Sequence, residues 1–112
     1  MKDLSIGNRL WLKKNGQSYL GKGRVELLKA IIELGSISAA ARSMNMSYKK
    51  AWESVDAMNS VSDEPLVTRT TGGSGGGGTT VTNAGIEAIK LYELIDQRCI
   101  AFLEEELRSI TA

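Results

Sequence analysis

A chain of 112 residues with 42% hydrophobic side chains has material for one core and too little length for two. With no histidine and a single cysteine, Cys99, it excludes an internal disulfide and makes catalytic or metal-binding constellations scarce, so no enzyme, cofactor or metal is expected. The net charge of +1 conceals a division: residues 1–50 carry ten Lys or Arg against three Asp or Glu, a balance of +7, and residues 51–112 carry four against ten, a balance of −6. The basic half suits phosphates, and the acidic half suits a solvated dimer scaffold. No apolar run approaches the roughly 20 residues of a membrane span, and Met1 to Gly7 lacks the apolar stretch of a signal peptide. The expectation is a soluble, cytoplasmic protein without a membrane partner.

Residues 9–14 alternate weakly and lead into Asn15-Gly16, a pair that tolerates the positive φ angles of a tight turn; Gln17 to Leu20 form the return strand of a small hairpin. Trp11 is expected to pack and anchor that sheet. From Arg24 to Leu34, Val25, Leu28, Ile31 and Ile32 recur at helical spacing, and Gly35 follows as a C-cap. Ile37, Ala40, Ala41 and Met44 mark a short second helix opened by Ser36 or Ser38. Ser47 caps a third, in which Ala51, Val55 and Met58 form the inward stripe while Tyr48, Lys49, Lys50, Trp52, Glu53 and Asp56 occupy the other faces. Residues 36–60 thus have the form of a helix-turn-helix.

β-branched segments at residues 66–71 and 79–82 flank a glycine run, which reads as a wing within residues 66–82. A plain flexible linker is the alternative; a phosphate-cradling loop would end in Lys-Ser/Thr, which this run lacks. A long helix over residues 83–108, capped by Asn83, then carries Ile86, Ile89, Leu91, Tyr92, Ile95, Cys99, Phe102, Leu103 and Leu107. That apolar arc is wider than one docked helix needs. Homodimerisation through Ile89, Tyr92, Ile95, Cys99, Phe102 and Leu103 is one use for it, and docking within the chain is the other. Cys99, among apolar neighbours, reads as a packed small side chain. The fold class is mainly α with small β: a winged helix-turn-helix with an N-terminal hairpin, a β-wing and a long C-terminal helix, forming a single domain over residues 1–112.

Lys49 and Lys50 fall in the first turn of the third helix, where the free amides already make the helix end positive. Cations there cost roughly 0.3 to 1 kcal/mol each at an exposed site, and attraction to a DNA phosphate or guanine edge would offset it. A solvated lysine pair is the plainer alternative. Tyr48 and Trp52 suit sugar or thymine methyls, though Trp52 also suits a half-buried core position. Arg69 on the wing strand is a candidate for a minor groove or the backbone, and Arg42 for a phosphate. Ser38 and Ser47 add hydroxyls. Gly73, Ser74 and Gly75 form the wing tip, where a bare backbone can approach DNA closely.

The segments Gly35-Ser-Ile-Ser-Ala-Ala-Ala-Arg42, Met46-Ser-Tyr-Lys-Lys-Ala-Trp52, Asp56-Ala-Met-Asn59 and Arg69-Thr-Thr-Gly-Gly-Ser-Gly-Gly-Gly-Gly78 together resemble the N-terminal DNA-binding domain of the molybdate-dependent transcriptional regulator family, ModE, over roughly residues 9–107. The resemblance implies a recognition helix carrying Ser47, Tyr48, Lys49, Lys50 and Trp52, a glycine-rich wing, and a dimer built by Asn83 to Leu107. It implies sequence-specific binding of double-stranded DNA by a homodimer that controls molybdate-transport or molybdenum-enzyme genes. The family wing carries a lysine inside its glycine run where this chain has Ser74, so one phosphate contact per subunit would be lost. Family members continue into molybdate-binding domains, whereas this sequence ends at Ala112. Either a separate molybdate-sensing chain or another mode of regulation is then expected. The alternative function is a protein-interaction or co-regulator module that has lost direct DNA binding.

Overall fold

Asn15 and Gly16 take φ of 53° and 77° in the computed structural model, which describes residues 2–70 and 78–112. Two successive positive φ angles match the right-handed twist of paired strands, and here they join β1 (Trp11–Lys14) to β2 (Gln17–Gly21) in antiparallel register, with one irregularity between Leu12 and Lys13. Leu20 is buried from this hairpin. Trp11 departs from expectation: its position opposite Gly21 gives it little to pack on, and it stands 56% exposed.

α1 (Lys22–Leu34) starts two residues before the expected Arg24, directly out of β2. Arg24 donates to the carbonyls of Ser18 and Tyr19 at 2.9 and 3.1 Å, which ties the helix start to the hairpin. Val25, Leu27, Leu28 and Ile31 are buried, whereas Ile32, expected inward, lies two turns beyond Val25 where no described segment covers it. Gly35 ends the helix in the left-handed region at φ 77°, its N–H donating to Ile31 at 2.8 Å.

α2 (Ile37–Ser43) is capped by Ser36, the first of the two candidate serines, whose Oγ accepts from Ala39 at 3.0 Å. α3 (Tyr48–Val61) is capped as expected by Ser47, accepting from Lys50 at 3.0 Å. Ala40, Ala41 and Ala51 are buried in the same core cluster, and their small side chains allow the two helices to approach closely. β3 (Val67–Thr70) and β4 (Gly78–Val81) pair antiparallel from Val67↔Val81 to Thr70↔Gly78, β4 starting one residue before the expected Thr79. Thr79 N–H reaches the carbonyl of Gly35 at 3.4 Å, so the wing is braced on the turn between α1 and α2.

α4 (Asn83–Thr111) is capped by Thr82 rather than Asn83. The Thr82 hydroxyl is placed to do two things at once: it accepts from Gly85 N–H at 3.1 Å and donates to the Pro65 carbonyl at 2.7 Å. The opening turns of α4 bury Gly85, Ala88, Ile89 and Tyr92 against the body. Ile89 and Tyr92, expected on a dimer face, are therefore core residues of their own chain. Asn8 donates to Asp96 at 3.0 Å, the last bond among the described residues from α4 to another segment. Ile95, just before it, and Cys99 and Leu103, beyond it, are half-exposed, and Phe102 and Ile110 stand 63% and 75% exposed. Cys99, expected as a packed small side chain, is only partly buried within its own chain.

Candidate nucleic-acid interface

Ala51, Val55 and Met58 anchor α3 in the core, and the 100° step of the helix sends Lys49, Glu53, Asp56 and Ser60 to the opposite side. Ser47, Tyr48, Lys49 and Lys50 are all exposed at the helix start, and no acidic residue occupies the first turn. The nearest carboxylate to Lys49 is that of Glu53, one turn on, at 3.9 Å between side chains 88% and 65% exposed. An exposed pair at that distance contributes little, so the ammonium stays available to an external anion. A positive helix end and two cations therefore meet solvent together.

The two flanks of this end differ. Toward the hairpin, Lys50 and Ser54 border a shallow depression with Trp11, Ser18 and Arg24. On the other flank, Arg69 of β3 lies over α3, its guanidinium carbon 3.4 Å from the centroid of the Trp52 ring. Tyr48 meets Trp52 edge-to-face, with centroids 6.2 Å apart and planes at 84°. Trp52 is half-buried against the core, and its Nε1 is buried with no hydrogen-bond partner among the described residues. On α2, Arg42 donates to Ser38 Oγ at 3.0 Å, both side chains being exposed on the same helical face.

The candidates therefore fall into groups. Ser47, Tyr48, Lys49, Lys50, Trp52 and Arg69 converge around one helix end, and Ser38 with Arg42 form a separate exposed pair on the preceding helix. Gly73, Ser74 and Gly75 lie outside the described residues. Three further residues emerge from the geometry. Glu53 and Asp56 share the outermost face of α3 with Lys49, where a carboxylate can accept from a cytosine amino group. Asn59 fixes the wing to the same helix: its Oδ1 accepts from Leu66 and Val67 N–H at 2.8 and 3.3 Å, and its Nδ2 donates to the Val67 carbonyl at 2.9 Å. The segment Asp56 to Asn59 carried the only sequence signal for that role.

Residues 23–86 match the family model described as bacterial regulatory helix-turn-helix protein, lysR family. The chain is similar to the transcriptional regulator ModE of Haemophilus influenzae, with 41% identity over 88 residues, covering 79% of this chain and 34% of that protein. It is similar also to the molybdenum transport protein ModE of Azotobacter vinelandii, with 38% identity over 106 residues, 92% of this chain and 39% of the relative. The molybdenum-pterin-binding protein MopB of Rhodobacter capsulatus is 49% identical over 85 residues, 76% of this chain and 31% of its own length. The chain thus spans about a third of the length of the relatives it matches.

Proposed function

Because the chain belongs to the bacterial regulatory helix-turn-helix proteins of the lysR family, we propose that it is a sequence-specific DNA-binding unit that regulates transcription of molybdate-related genes. The observation that carries this reading is the exposed first turn of α3, where Lys49 and Lys50 stand without acidic neighbours in the turn. The similarity to ModE regulators supports the molybdate connection and a role in regulation rather than catalysis. Among the described residues no helix is long and apolar enough to cross a membrane.

In this reading residues 1–112 act as one winged helix-turn-helix domain and pair as a homodimer through the far half of α4. Support for the pairing comes from the half-exposed Ile95 and from the apolar side chains that α4 carries past the body, Phe102, Leu103 and Ile110 among them. Two recognition helices would then enter successive major grooves, with half-sites spaced by about one DNA turn. Ser38 and Arg42 would hold the flanking phosphates, and Gly73 to Gly75 the wing tip's approach to the backbone. The molybdenum-related names of the relatives support control by a molybdate-sensing element, on this polypeptide or another chain.

Titration against a palindromic duplex across salt concentrations tests the reading. Affinity falling steeply with salt is the expected result. Absence of binding at low salt, together with capture of a distinct protein by the apolar half of α4, would favour instead a protein-interaction module.

A further inference from the structure

Arg69 and Trp52 belong to different elements, and their stack is a contact between the wing and the recognition helix. A guanidinium carbon 3.4 Å from an indole centroid is at stacking distance, and a stacked guanidinium keeps its N–H donors in its own plane. None of the ion pairs among the described residues engages Arg69. Trp52 Nε1 is in addition a buried donor with no acceptor among the described residues. Position matters as much as chemistry. When a helix enters the major groove and a wing meets the adjacent minor groove, the sugar-phosphate strand dividing the two grooves runs between helix and wing. The stack occupies that interval.

Resting on the reading of this protein as a DNA-binding unit, we propose that Tyr48, Trp52 and Arg69 form a preassembled site for a DNA backbone phosphate, with Arg69 as the donor and Trp52 as its positioning residue. Arg69 then does not extend into a minor groove to read a base. Trp52 does not stack on sugar or thymine, because its face is already covered by Arg69. Tyr48 holds the indole at the angle that receives the cation. The long arginine side chain is ordered before DNA arrives, so less freedom is lost on binding.

The experiment is a double-mutant cycle read by affinity for two duplexes of equal length, a selected operator and a random sequence. Arg69→Ala should weaken both by the same factor and reduce the log–log salt slope by about 0.9 per subunit. Arg69→Lys keeps the charge but not the flat stack, and should recover only part of the loss. In a Trp52→Leu background, removal of Arg69 should cost much less than in the wild type. Trp11 and Trp52 are the two tryptophans. In a Trp11→Phe background, acrylamide quenching of Trp52 should therefore increase when Arg69 is removed, a readout independent of DNA and of whether Trp52→Leu folds. Additive losses, full rescue by lysine, unchanged quenching, or a loss confined to A·T-rich operator positions would each overturn the proposal while leaving DNA binding intact. If the wild type binds neither duplex at low salt, the underlying functional reading fails with it.

Discussion

A β-carbon on Gly85 would stand 2.5 Å from the carbonyl oxygen of Leu66 and 2.6 Å from Cγ1 of Val81. The carbonyl is not free to retreat, because it accepts the N–H of Thr82 at 2.9 Å where the chain passes from wing to helix. The absence of a side chain at position 85 is therefore what lets α4 start so close to the wing. Gly85→Ala should destabilise the fold by about 1–3 kcal/mol through overpacking. Chemical denaturation provides the measurement, and Gly23→Ala, which meets open space, is the control that should not lose stability. Equal midpoints for Gly85→Ala and wild type would refute the close packing.

Asn59→Ala should loosen the wing from α3. Leu66 and Val67 are buried, so the amides that now donate to Asn59 Oδ1 would be left without acceptors. Each such loss costs about 1–3 kcal/mol. Faster hydrogen exchange at Leu66 and Val67, with little change in the buried amides of α1, is the expected pattern. Uniform protection in the variant would show that Asn59 is dispensable.

Phe102 is 63% exposed on the far half of α4, so a glutamate there should leave the folded body intact. If α4 pairs two copies, Phe102→Glu should shift sedimentation from dimer toward monomer without lowering the cooperativity of unfolding. A wild type that sediments as a monomer at micromolar concentration would remove the dimer.

Replacing Lys49 tests the helix end itself. Its ammonium has only the distant Glu53 carboxylate for company, so Lys49→Ala should leave thermal stability within about 0.5 kcal/mol of wild type. DNA affinity should fall by about 1–3 kcal/mol if the lysine reads a base edge, with relaxed preference at that base pair. Unchanged affinity would move recognition elsewhere.

The hairpin and the first three helices were legible because their punctuation is local: Asn15-Gly16 needs positive φ, Gly35 ends a helix, and Ser47 starts one. The start of α4 was less so. Thr82 and Asn83 are both able caps, and only Thr82 also reaches Pro65, a contact across the wing that spacing does not reveal. The broad apolar arc of α4 combines two faces. Ala88, Ile89 and Tyr92 serve their own core, while Phe102 and Ile110 follow where the body has ended, and a periodicity does not mark that end. The Arg69–Trp52 stack was hidden for a related reason. It depends on which way two side chains from separate elements turn once the wing has folded back.

Tyr92 offers a pH test of the junction between α4 and the N-terminal segment. Its hydroxyl donates to the Leu10 carbonyl at 3.0 Å, and burial first, then the charges of Asp96 and Glu26, raise its pKa above the ordinary 10.0. The folded protein therefore keeps this proton to higher pH than the unfolded chain does. The sign follows: the stabilisation is fully present below about pH 10 and is lost as pH rises from there through the folded pKa. Lys29, raised chiefly by its hydrogen bond to Glu93, loses stability in the same direction above its ordinary 10.5, so wild type alone does not isolate the tyrosine. The difference between wild type and Tyr92→Phe does. At neutral pH the variant should be weaker by about 0.5–1.5 kcal/mol for the lost hydrogen bond, and that gap should narrow as pH climbs past 10. Denaturation curves that stay parallel from pH 8 to pH 11 would show that Tyr92 does not titrate differently in the two states.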